Sequence, residues 1–140
     1  MTKSFVFLFI IGQVLIKTPA FADILVITNK SVPNNILTQR EVKQIFLGKK
    51  KKWSDGSRIH AVIINKGREH KDLLKKYVHK TPFSFSIFWK RAIVSGTGIP
   101  PKSFSNAEDL LKFVQNNKGV IGYIPSNMPY DHVNIIQIKQ

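Results

Sequence analysis

No cysteine occurs in the 140 residues of this chain. Disulfide staples, thiolate metal sites and cysteine nucleophiles are thereby excluded. Stability must come from an apolar core, which a chain of this size can build because it buries most of the surface its unfolded state exposes. Acidic residues are sparse as well: 8 Asp and Glu stand against 22 Lys and Arg, for a formal net charge of +14. These carboxylates are scattered without a spacing that pairs them for acid–base work, and there is neither a Gly-x-Ser-x-Gly elbow nor a Walker-type loop. The chain therefore reads as non-enzymatic. His60, His79 and His132 form no i, i+4 pair and no metal-ligand spacing with a carboxylate, so neither a metal nor another cofactor is expected. Long hydrophobic runs are missing too, since Phe5 to Ile16 gives about a dozen apolar residues where a spanning helix needs about 20.

That apolar run has a different meaning. Lys3 precedes it, and Ala20-Phe21-Ala22 follows with the small-x-small form of a signal-peptidase site. Residues 1–22 are expected to be a signal peptide cut before Asp23, with 23–140 as one domain and retention as an anchor the alternative. The domain is then periplasmic or secreted. Export leaves the chain strongly basic but changes its partners. Nucleic acid is not expected, because charge alone supports it and no stacking or helix-in-groove motif does. Small oxyanions, anionic lipid and anionic polysaccharide feel the same field.

Strand and helix patterns alternate along the domain. Ile24 to Thr28 and Ile59 to Asn65 are short apolar runs of buried-strand type, and Val120 to Ile124 and Val133 to Ile138 repeat the pattern near the end. Thr38-Gln39-Arg40-Glu41 is a capping-box pattern opening a helix with Val42, Ile45 and Phe46 inward and Gly48 as its stop. Leu73, Leu74, Tyr77 and Val78 mark a second helix. Thr81-Pro82 opens a third, on which Phe85, Phe88, Trp89, Ala92 and Ile93 recur at helical spacing. Ser105-Asn106-Ala107-Glu108 reads as another capping box, followed by Leu110, Leu111 and Val114 and closed at Gly119.

Lys49, Lys50, Lys51 and Lys52 fall between the helix stop at Gly48 and the turn signal Ser54-Asp55-Gly56. In a helix-to-strand connection they share no helical face, so they read as a solvated loop giving accessory anionic contact. Trp53 beside them is expected to pack under that loop, with an exposed docking anchor as the other reading.

The same region carries a resemblance. Leu37-Thr38, Ile45-Phe46-Leu47-Gly48-Lys49 and Lys52-Trp53-Ser54-Asp55-Gly56 resemble the opening of the substrate-binding proteins of phosphate ABC transporters and of their short single-domain relatives. Trp89, Ser95-Gly96-Thr97-Gly98, Pro100-Pro101 and Gly119-Val120-Ile121-Gly122-Tyr123 resemble later segments of those relatives in the same order. The resemblance implies an α/β fold: one lobe of the type 2 periplasmic-binding-protein kind, with a mixed, mostly parallel sheet flanked by about four helices. It also implies that the lysine run fills a variable surface loop.

Sheets of this type bind ligands beyond the carboxyl ends of their strands, where helix-start amides point outward. Here that place is Asn65, Lys66, Gly67, Arg68 and His70. Two cations at a helix start oppose the macrodipole and are better explained by an anion between them, although Glu69 and Asp72 offset part of the charge. His70 also continues the apolar stripe toward Leu73, so a core position and a ligand contact both remain open. Phosphate carriers present a Ser-Gly-Thr type cradle at this helix start, whereas this chain has Lys66-Gly67-Arg68-Glu69. Ser95-Gly96-Thr97 does not replace it, because that stretch follows a helix and reads as a C-cap. Full-length carriers close two lobes over their ligand, and this chain has the length of about one. The expected function is exported solute binding, of phosphate or another oxyanion, as in the substrate-binding component of a phosphate ABC transporter. The alternative is a module that keeps the fold without a small ligand and docks to a membrane transporter, a sensor ectodomain or a second copy of itself as a homodimer.

Overall fold

The computed structural model describes residues 23–140. The expected signal peptide lies outside the described residues. Strand β1 (Ile24–Asn29) is followed by a short β2 (Ile36–Thr38) and helix α1 (Gln39–Phe46). Strand β3 (His60–Ile64) leads into α2 (Arg68–Leu73), which continues as a π-helical turn over Leu74–Val78. Then come α3 (Pro82–Ser95), β4 (Lys102–Phe104), α4 (Ala107–Asn116), β5 (Val120–Pro125), β6 (Val133–Ile135) and β7 (Gln137–Lys139).

Five strands form one sheet in the order β4-β3-β5-β1-β6. β3 runs parallel to β4 and β5, while β1 is antiparallel to both β5 and β6. Four strands thus share a direction and β1 alone is reversed, giving a mixed, mostly parallel sheet with four α-helices among the described residues. β5 is buried along Val120 to Ile124, as expected of a strand covered on both faces. Gly122 lets α4 close onto it: a Cβ there would stand 2.8 Å from Cδ2 of Leu110 and 2.9 Å from Cγ2 of Val62.

Caps set the helix boundaries. The Thr38 hydroxyl accepts from the Glu41 amide at 3.1 Å, and Thr81 and Ser84 cap α3 reciprocally. The expected inward residues of α1 and the Leu73, Leu74, Tyr77, Val78 stripe are all buried.

Several expectations are corrected. Helix α4 is capped by Asn106, whose side-chain oxygen accepts from the Asp109 amide at 2.8 Å, so the cap lies one residue beyond Ser105. The helix ends at Asn116, before Gly119. Ile93 is exposed because only Phe85 and Trp89 of α3 reach full burial. The Val133–Ile138 strand divides: the Ile136 amide bonds to Val26, whereas that of Gln137 turns to Asn35, so the ladder changes partner and β7 pairs in parallel with β2. Strands β2 and β4, three residues each, carry no legible period in the sequence.

Candidate functional site

The carboxyl ends of β3, β4 and β5 converge on a depression of about 650 Å³. Its walls include Ile64 at the end of β3 with Lys66, Gly67 and Glu69 beyond it, Ser105 to Glu108 after β4, and Pro125 at the end of β5 with Asn127 beyond it. The starts of two helices, α2 and α4, therefore open into one pocket. Gly67 is the N-cap of α2 and has no side chain to cap it, and its φ of 88° is a conformation that favours glycine. Asn106 satisfies only one donor of α4, and the first amides of both helices have no partner within their own helix. Such a place attracts an anion or the negative end of a polar ligand.

The stretch Asn65 to His70 differs from the expected pocket of positive potential in three respects. Arg68 reaches along its helix to Asp72, Nε to Oδ2 at 3.2 Å, because i, i+4 spacing puts the two on one face. Glu69 leans over Gly67, with Oε2 3.7 Å from where a Cβ would stand. His70 is 5% exposed and belongs to the interior: Nδ1 lies 3.4 Å from the Tyr123 hydroxyl, and the ring meets Phe85 edge-on at 5.8 Å. Burial holds the His70 pKa below the ordinary histidine value. Asn65, Lys66, Gly67 and Arg68 are exposed. The pocket wall thus carries Lys66 together with the carboxylates of Glu69 and Glu108.

Lys49 to Lys52 stand elsewhere. They line a larger basin of about 990 Å³ with His60 and Val120, at the amino ends of β3 and β5. The length of β3 separates them from the Asn65–His70 stretch, so any accessory anionic contact they give is made at the other end of the strand. The loop is also more ordered than a solvated run. The Lys49 and Lys50 amides bond to Gln44, the Ile59 amide bonds to Lys51 at 2.9 Å, and Lys52 bridges to Arg58. Trp53 packs beneath it, 3% exposed, and donates Nε1–H to the Gly119 carbonyl at 3.0 Å. Ser95-Gly96-Thr97 is the C-cap of α3: Gly96 is left-handed at φ 70°, and the Thr97 amide bonds to Ala92.

The contribution of the α4 start was missed in the sequence because β4, which places it, is too short to show a pattern. The larger basin was missed as well, although one signal for it exists. Between Asp72 and Glu108 the sequence has no acidic residue. Among the described residues no group of three or more potential metal ligands gathers, and no helix is long and apolar enough to cross a membrane.

Similar folds occur in solved structures. A phosphate ABC transporter substrate-binding protein from Clostridium perfringens, solved with bound phosphate, superposes with a TM-score of 0.66 at 20% identity, covering 84% of this chain and 45% of that one. PstS from Borrelia burgdorferi gives 0.62 at 15% identity, covering 86% and 49%. An ABC-type phosphate transport receptor from Vibrio cholerae gives 0.57 at 15%, covering 84% and 46%. The chain spans less than half the length of each. No curated protein sequence matches it. The profile of the PBP superfamily domain, however, matches residues 12–135, nearly the whole chain, and the protein belongs to that superfamily.

Proposed function

We propose that this protein is an exported, non-enzymatic solute-binding domain that holds a small phosphate-like oxyanion at the carboxyl ends of β3, β4 and β5. The observation that carries this reading is the meeting of two helix starts, at Gly67 and Asn106, in one pocket that also contains Lys66. Asn65 and Arg68 flank Lys66 and Gly67 in the chain without lining the pocket, and His70 lies in the interior against Tyr123 and Phe85. The solved structures of similar fold include one with phosphate bound, which is consistent with such a ligand.

Glu69 and Glu108 narrow the ligand class. An ionised carboxylate accepts hydrogen bonds and donates none, so it repels a fully deprotonated oxyanion but can accept from one that keeps an O–H. Monohydrogen phosphate has that proton near neutral pH and sulfate does not. The chain matches less than half of each carrier; in this reading a membrane transporter or a second copy of the chain supplies the opposite wall of the cleft.

Calorimetric titration of the protein with phosphate and with sulfate tests this. Saturable heat with phosphate, weakened in Lys66→Gln and with the phosphate preference reduced in Glu69→Gln, is the expected result. Absence of heat with either ion overturns it and favours the docking module. Light scattering during the titration shows whether binding needs a dimer.

A further inference from the structure

The basin at the amino ends of β3 and β5 is the larger concavity, and it lies at the opposite end of the strands from the oxyanion pocket proposed above. Its rim holds Lys49 to Lys52, Arg58, Lys102 and Lys118, and no Asp or Glu lines it. Like charges gathered this way repel one another unless an anion sits among them. The floor is apolar and aromatic: Trp89, 6% exposed, with half-buried Phe88 and Phe113 beside it. Lys102 marks the boundary between the two zones, its Nζ 4.5 Å from the centre of the Phe113 ring.

One wall of the basin runs from Gly96 to Pro101 and follows the end of α3. It presents aliphatic surface to solvent, with Ile99 77% exposed and Val94, just before this wall, 90% exposed. An inorganic ion would gain nothing from that wall or from the aromatic floor. A neutral apolar molecule would gain nothing from seven cations. A ligand carrying both an anionic group and an apolar body uses all three parts.

We propose that this basin binds an anionic phospholipid, with the headgroup phosphate among the lysines and the acyl portion across Phe88, Phe113 and the Gly96–Pro101 wall. Single-stranded nucleic acid also combines phosphate with ring stacking. The aliphatic Ile99 on this wall offers bases no stacking face, and it favours the lipid. The inference concerns a different surface from the oxyanion pocket and does not depend on that reading.

The test is titration of the protein with monomeric dihexanoylphosphatidylglycerol, followed by tryptophan fluorescence, since Trp89 forms part of the floor. Dihexanoylphosphatidylcholine, inorganic phosphate and a thymidine decanucleotide serve as comparison ligands. Saturable binding of the glycerol lipid is expected, at least about ten-fold tighter than the choline lipid. Lys49→Gln, Lys50→Gln and Lys51→Gln together should weaken it roughly ten- to hundred-fold at low salt. Lys66→Gln, Lys71→Gln and Lys75→Gln together remove the same charge from residues that do not line the basin and should weaken binding by no more than about three-fold in physiological salt. Ile99→Ser should weaken lipid binding without changing the thermal unfolding midpoint. Equal binding of the two lipids, decanucleotide or phosphate binding as tight as the glycerol lipid, or equal weakening by both triple variants would each overturn the proposal.

Discussion

The hydroxyl of Tyr123 lies 3.4 Å from Nδ1 of His70 in the interior between β5 and α2. The same oxygen accepts the Ile64 amide at 2.9 Å and faces the Ile64 carbonyl at 3.3 Å, so one phenol ties the last residue of β3 to the helix that follows it. Burial pushes the Tyr123 pKa up and the His70 pKa down, which keeps both groups neutral near pH 7.

Replacing Tyr123 by Phe leaves the Ile64 amide buried without this acceptor. A loss of about 1–3 kcal/mol is expected, read from urea unfolding of wild type and variant at pH 7. Because the affected strand end carries Asn65 and Lys66, the variant should also exchange amide hydrogens faster at those two residues than wild type.

The lowered His70 pKa has a stability consequence of definite sign. Below about pH 6.5, the ordinary histidine value, the unfolded chain takes up a proton that the folded chain does not. Stability is therefore fully present above that value and falls as pH drops toward the folded-state pKa. In His70→Gln this component is absent. The urea midpoint of wild type should decline between pH 7 and pH 5 more steeply than that of the variant, and parallel curves would refute the assignment.

Gly48 and Gly56 form a matched pair. Both are left-handed, at φ 70° and 83°, but a Cβ on Gly48 would stand 2.8 Å from Cη2 of Trp89 while one on Gly56 meets nothing within 4 Å. Gly56→Ala should cost about 1–2 kcal/mol, the penalty of the backbone conformation alone. Gly48→Ala should cost more, and the difference in unfolding free energy measures the Trp89 contact.

Trp53→Phe removes the indole donor to Gly119 but keeps most of the buried ring. The Gly119 carbonyl still accepts the His60 amide at 3.0 Å, so it is not left unsatisfied. The expected loss is about 1 kcal/mol by denaturant unfolding. A much larger loss would mean that the lysine loop above it had come away.

The main elements were legible because their determinants are local. Thr38 and Thr81 announce their helices by hydroxyl caps, and the apolar runs of β1, β3 and β5 are dense enough to be read without a partner. β2, β4 and the division between β6 and β7 were not legible, since three-residue strands exist only through the neighbours they pair with. The reversal of β1 is likewise a property of pairing. The stretch after β3 was singled out as a candidate from the rule that ligands lie beyond strand ends. Its neutralisation was only partly foreseen: the Arg68–Asp72 spacing is visible in the sequence, whereas the lean of Glu69 over Gly67 and the inward turn of His70 depend on side-chain placement. The lysine run was read by its loop alone; Arg58 closes the same loop by pairing with Lys52, but Lys102 and Lys118 are brought in from two distant segments.

β3 sets a ruler between the two ends of the sheet. Its five residues put His60 and Ile64 about 13 Å apart at the usual rise per residue, while electrostatic influence between exposed charges decays over about 8 Å in physiological salt. Each end is therefore largely screened from the other in physiological salt, and charge changes at the lysine loop should alter the affinity of the far pocket only weakly. One small sheet can in this way support two ion-dependent contacts that are tuned separately.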